Sequence, residues 1–233
     1  MNTKFFIFYV GICLILMPSR VHGQQKTSSM VLPSASPETV DVSDEYLAAV
    51  DEYIESYVQQ NKLPGGVFLI ARKGKTIYHK GIGHWTPEKK QAYETEAIFR
   101  LASMTKAITT VAILQLYEQG KLGLDDPIKY YLPAFAHPEI LDTYNESDTT
   151  YTTTKARMSI CIRHLLTHTS GIVYGSFNPG KIKAIYEKLG LNEFGLHHTS
   201  KTTADMVNDL AKAPLIFEPG TEYKYGLNME VLG

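Results

Sequence analysis

From Ser43 onward, apolar and polar positions switch between two periods. Leu47, Val50, Ile54 and Val58 recur at helical spacing, with Asp44 and Glu45 just behind Ser43; this predicts a helix capped by Ser43 and stopped at Leu63-Pro-Gly-Gly66. Val67 to Ala71 and Thr76 to His79, joined through Lys73-Gly74-Lys75, predict a hairpin, the first two strands of an antiparallel sheet. After Ser103 the pattern turns helical: Ser103 to Gln119 closed by Gly120, a turn at Pro127, Ser159 to Leu166, Lys181 to Leu189 closed by Gly190, and Thr203 to Lys212. Asp142 to Lys155, with its threonine run, carries no core pattern and reads as a loop insertion. Gln24 to Val42, rich in Ser, Pro and Thr, reads as a flexible leader.

The segment after Ser103 stands apart because its apolar residues surround the helix. Ala107, Ile108, Val111, Ala112, Ile113, Leu114 and Leu116 leave no wide polar face, which predicts a helix buried almost all round. At its mouth lies Ser103-Met-Thr-Lys106. Side chains three residues apart share a helix face, so Lys106 can reach the Ser103 hydroxyl. A serine becomes a useful nucleophile when a neighbour takes its proton, and a lysine does so when desolvation or nearby positive charge lowers its pKa. Burial of this helix supplies the desolvation, and its start offers free N–H groups to an oxyanion. Taken alone, the same residues are better read as an N-cap serine and a lysine that snorkels to solvent.

Two further segments favour the chemical reading. Phe99-Arg-Leu-Ala-Ser-Met-Thr-Lys106 continues through Leu116-Tyr-Glu-Gln-Gly-Lys-Leu-Gly-Leu-Asp-Asp-Pro127; it is followed by Ile162-Arg-His-Leu-Leu-Thr-His-Thr-Ser-Gly171 and by Phe217-Glu-Pro-Gly-Thr-Glu-Tyr-Lys-Tyr225. In this combination the chain resembles the serine β-lactamase and penicillin-recognising enzyme superfamily, in its class C-like branch of D,D-peptidases and β-lactamase-fold esterases. The resemblance covers about residues 45 to 233. It implies an α/β (α+β) fold: an antiparallel sheet flanked by helices, with an α-rich lobe. It also implies that Ser103 is acylated, that Lys106 accepts its proton, and that Tyr225 assists as a phenolate. The family's lactamases carry Tyr-x-Asn, whereas here Leu227 holds the third position and Asn228 follows it. Leucine cannot bond a substrate amide, which shifts the reading from β-lactams toward esters and other acyl substrates. A Lys-Thr-Gly-like triplet is absent, so a fold incomplete at the C-terminus is expected, with a silent remnant that binds peptidoglycan-type peptides as the alternative to an enzyme.

The chain's ends and composition set the context. Lys4, the apolar run Phe5 to Met17 and Val21-His22-Gly23 read as a signal peptide over residues 1–23, hence export to periplasm or medium, followed by the leader (24–42) and the catalytic domain part (43–233). The run is shorter than the roughly 20 residues that span a bilayer, so no membrane span remains after cleavage. With 44% hydrophobic residues the chain can bury a core, and a net charge of −1 leaves no basic footprint for nucleic acid. A small-molecule or peptide acyl substrate is the expected partner; no metal or organic cofactor is required, and oligomeric state is left open.

Several motifs point elsewhere and are set aside. Gly175-Ser-Phe-Asn-Pro-Gly180-Lys181 has the spacing of a phosphate loop, but Ile182 replaces the magnesium-binding hydroxyl. His164 and His168 stand four apart, yet Leu165 replaces the glutamate of a zinc-protease helix, which favours structural roles. His197-His198 reads as solvated loop, and Cys161, between two isoleucines, as a small core residue. No Gly-x-Ser-x-Gly elbow occurs.

Overall fold

The computed structural model describes residues 32–85, 91–178, 180–191 and 200–233; the expected signal peptide (1–23), His197-His198 and Pro179 lie outside them. The chain divides into two compact units, Met1–Phe99 and Arg100–Gly233.

In the first unit, helix α1 (Asp44–Gln59) follows Ser43 as its N-cap. It buries Ile54 and half-buries Leu47, Val50 and Val58, the stripe read from the sequence. Strands β1 (Gly65–Arg72) and β2 (Lys75–Gly83) pair antiparallel from Gly65 opposite Gly83 to Arg72 opposite Lys75. Lys73 and Gly74 both take positive φ, 48° and 72°, which a tight hairpin turn demands. Asp51 on α1 accepts from the Tyr78 hydroxyl at 2.5 Å and pairs with Lys80, tying the helix to β2.

Residues 33–40, within the expected leader (24–42), carry defined backbone structure. Pro33 and Ala35 exchange main-chain hydrogen bonds with Thr76, a short 3-10 turn spans Pro37–Val40, and Val40 is buried. Composition signalled flexibility, but one buried valine and two backbone bonds to β2 are enough to hold this part in place.

The second unit carries helices α2 (Thr105–Glu118), α3 (Ile162–Leu166), α4 (Lys181–Lys188), α5 (Thr203–Leu210) and α6 (Asn228–Leu232). Its core gathers Ile128, Ile160, Leu165, Val173, Tyr186, Leu210 and Leu227, all nearly inaccessible. Helix α5 opens with a capping box in which Thr202 and Asp205 exchange side-chain-to-backbone bonds. Helices α4 and α5 follow their sequence-predicted spans closely, whereas α3 starts at Ile162 rather than Ser159. The reason is that Ile160 and Cys161 are drawn into an extended bridge with Pro127 and Ile128.

Two expectations are corrected here. Residues 142–155 are no loop insertion: β3 (Glu139–Tyr144) and β4 (Tyr151–Lys155) form an antiparallel pair. The Thr and Tyr residues that lack a core pattern suit a pleated, solvent-facing strand, and the Glu139 carbonyl and the Leu141 N–H anchor the pair through main-chain bonds of its edge to Leu215. Helix α2 is not buried all round either. Ile113 is buried, while Ile108 and Val111 are 59% and 57% exposed. Among the described residues α2 packs chiefly against α6, on one face, so its uniform apolarity is satisfied only there. No helix among the described residues is long and apolar enough to cross a membrane.

Candidate active site

Ser103 lies in the second unit, inside a 3-10 turn, Ala102–Met104, that runs directly into α2. Ala102 before it has φ of 46°, a left-handed conformation costing an alanine about 1 kcal/mol. Strain of this kind persists where surrounding structure imposes it, and here it presents an exposed serine at a helix mouth. Lys106, one turn on, is largely enclosed, its side chain 15% exposed.

Tyr225 comes to Ser103 from the loop before α6. Its hydroxyl donates to Ser103 Oγ at 2.9 Å. The loop is held by the histidine motif after α3: Lys224 N–H donates to the His168 carbonyl at 2.9 Å, and Gly226 N–H to His168 Nδ1 at 3.3 Å. The Tyr225 ring packs on the His168 ring with centroids 4.7 Å apart. Gly226 passes so close to the main chain that a Cβ would meet the Ile172 carbonyl oxygen at 2.1 Å, so only glycine fits there. The structure thus brings Ser103, Lys106 and Tyr225 together, with Lys106 Nζ 5.3 Å from the Tyr225 ring centroid.

Two residues that sequence reasoning passed over complete the cluster. Lys106 Nζ donates to the Tyr174 hydroxyl at 3.0 Å and pairs with Glu230 Oε1 at 3.3 Å, and the Tyr174 hydroxyl donates to the same oxygen at 2.7 Å. Glu230 Oε2 is buried without a hydrogen-bond partner among the described residues. The available signal was a lone carboxylate inside the apolar run Leu227 to Leu232. Tyr174, three residues beyond Gly171, offered no comparable signal.

This environment reverses the expected electrostatics of Lys106. Burial works to loosen its proton, but the Tyr174 hydrogen bond and the Glu230 charge outweigh it, and the ammonium holds its proton more tightly than an ordinary lysine. Tyr174, driven mainly by burial and further by Glu230, is pushed up to about 12. The site therefore sets a carboxylate and a phenol hydroxyl against the lysine that the sequence reading makes the proton acceptor.

Asn228, the displaced asparagine of the Tyr-x-Asn pattern, points inward. It is fully buried, accepts from Ser170 Oγ at 2.5 Å and donates through Nδ2 to His168 Nδ1 at 2.9 Å. Leu227 is a core residue at 1% exposure. His164 Nδ1 accepts from Cys161 N–H at 3.2 Å, capping α3, so both motif histidines act as acceptors for main-chain donors. Burial, with Asp125 nearby, pushes the Cys161 thiol up, which disfavours the thiolate. An open cavity of about 590 Å³ borders Lys106 and Glu230, with Arg100, Leu101, Met206 and Met229 among its walls.

Residues 50–229 match the Beta-lactamase family model. The chain belongs to the Beta-lactamase family. Among relatives of this family it is 31% identical over 205 residues to "Esterase EstB" of Burkholderia gladioli, covering 88% of this chain and 48% of that one. "Acyltransferase calJ" of Penicillium decumbens is 32% identical over 162 residues, covering 69% and 36%. The solved structure of "EstCE1, a hydrolase with promiscuous acyltransferase activity" superimposes with a TM-score of 0.67 at 35% identity, over 81% of this chain and 46% of that one. "Simvastatin Synthase (LovD)" of Aspergillus terreus gives 0.63 at 26% identity, covering 80% and 45%. The chain spans about half the length of the relatives it matches. Its α+β class, with helices and antiparallel strand pairs, is that of the Beta-lactamase fold.

Proposed function

We propose that this Beta-lactamase family chain belongs to a serine hydrolase or acyltransferase that works through a covalent Ser103 ester, on ester or other acyl substrates. The observation that carries the reading is the Tyr225 hydroxyl 2.9 Å from Ser103 Oγ, with the charged Lys106 one turn away. Relatives named as an esterase and as acyltransferases support this reaction class.

In the reaction, Tyr225 acts in its phenolate form, with the Lys106 ammonium 5.3 Å from its ring centroid as counter-charge. Ser103 Oγ then bonds to the acyl carbon and its proton passes to Tyr225. The Ser103 N–H donates to the developing oxyanion. As the bond to the leaving group breaks, Tyr225 returns the proton to the departing oxygen or nitrogen. Water, or an acceptor alcohol, then attacks the ester by the same steps and frees Ser103.

The test is a fluorophosphonate probe offered to the full chain, with the adduct mapped by peptide mass. Labelling at Ser103, abolished in Ser103→Ala, is the expected result. A folded chain that resists the probe yet binds acyl-D-Ala peptides points instead to a silent peptide-binding remnant. Export to periplasm or medium is part of the same proposal, motivated by Lys4, the apolar run Phe5 to Met17 and Val21-His22-Gly23. A native chain beginning at Gln24 is the result that supports it.

A further inference from the structure

We propose that Glu230 is a positioning residue whose carboxylate, by holding Lys106 Nζ and the Tyr174 hydroxyl together, sets the lysine in place beside Ser103 and Tyr225. This rests on the acyl-transfer reading above and adds to it a residue outside the Ser103, Lys106 and Tyr225 set.

The argument is geometric. Glu230 projects from the first turn of α6 and places one oxygen on both donors at once, Lys106 Nζ at 3.3 Å and the Tyr174 hydroxyl at 2.7 Å. Its second oxygen is buried and unbonded among the described residues. An ionised carboxylate with an unsatisfied buried oxygen is costly, so the Lys106 charge is the compensation that keeps it there. The side chains of the pair are only 15% and 20% exposed, which limits screening by solvent.

The other polar groups around Lys106 agree. From the loop after α3, Tyr174 gives its hydroxyl oxygen to the ammonium as an acceptor, and the Tyr174 ring lies 5.6 Å from Nζ. From the loop before α6, Tyr225 turns its ring face toward the same ammonium at 5.3 Å while its hydroxyl reaches Ser103. Among the described residues His168 also faces this cluster; burial, and then the Lys106 ammonium, lower its pKa against the opposing pull of Glu230. Arg100 lines the neighbouring cavity. A lysine so surrounded is held in place, and the group touching Ser103 Oγ is Tyr225.

The deciding experiment is titration of the Lys106 side chain in the full chain by NMR of labelled lysine Cε, its signal identified by disappearance in Lys106→Arg. The same samples are followed for the pH dependence of fluorophosphonate labelling. In the native chain the midpoint is expected above the ordinary 10.5. In Glu230→Gln, which keeps the shape and the Tyr174 bond, it falls by a unit or more, and the high-pH decline of labelling moves down by the same amount. Glu230→Asp restores most of both. A native midpoint at or below 10.5 overturns the proposal without any variant. So does an unchanged midpoint in Glu230→Gln, or a high-pH decline of labelling that does not move in that variant. Failure of the native chain to label at Ser103 at any pH overturns instead the acyl-transfer reading beneath it.

Discussion

The Tyr225 hydroxyl and Ser103 Oγ lie 2.9 Å apart although 122 positions separate them in the chain. The two are held in different ways. Ser103 is set by the strained Ala102 turn, and Tyr225 by a histidine and a glycine that clamp its loop. The reactive contact is therefore a product of the α3 motif meeting the α6 loop, and substitutions at those supports should separate chemistry from stability.

Tyr225→Phe removes only the hydroxyl, leaving the ring on His168 and Tyr174. The rate of Ser103 acylation is expected to fall about 10²- to 10⁴-fold, the usual contribution of a positioned proton carrier. Thermal denaturation should be nearly unchanged. A variant that acylates at the native rate removes Tyr225 from the mechanism.

Lys106→Met strands the Glu230 charge in its enclosed pocket. Breaking one side of such a pair costs roughly 3 kcal/mol. Adding Glu230→Gln to that variant removes the stranded charge and keeps an acceptor for the Tyr174 hydroxyl, so urea titration should show most of the loss recovered. If the two changes are simply additive, the pair is not coupled.

Asn228→Ala leaves Ser170 Oγ without its acceptor and His168 without its side-chain donor in a fully buried position. The expected cost is about 2 to 3 kcal/mol in denaturant unfolding, since buried groups left unpaired lose their full desolvation. Because His168 also holds Tyr225, acylation should slow as well. A surface-like response, below about 0.5 kcal/mol, would contradict the burial.

His168 and His164 both titrate below the ordinary 6.5, chiefly because burial opposes the charged ring. The unfolded chain therefore binds protons near pH 6.5 that the folded chain still refuses. Stability from these histidines is complete above that pH and is lost as pH falls through it toward the folded values. Melting temperatures measured from pH 7.5 to 5 should decline across this window, ahead of carboxylate protonation. A flat profile would show that the rings are solvated.

What the sequence determined by itself is what depends on near neighbours. The stripe of α1, the β1–β2 turn at Lys73-Gly74, the spans of α4 and α5 and the one-turn spacing of Ser103 and Lys106 all follow from residues a few positions apart, because helical and strand periods are local. The quoted motifs also sufficed for the family, since each combines several residues of unusual type. Tertiary structure alone decided which charges meet. Glu230 reaches Lys106 across 124 positions, and that approach opposes the loosening that burial alone would give the lysine's proton. It also decided that α2 is covered on one face and that a threonine-rich stretch pairs as β3 and β4 against Leu215. A pKa, a buried face and an edge pairing are all set by what lies across space, and no period along the chain records it.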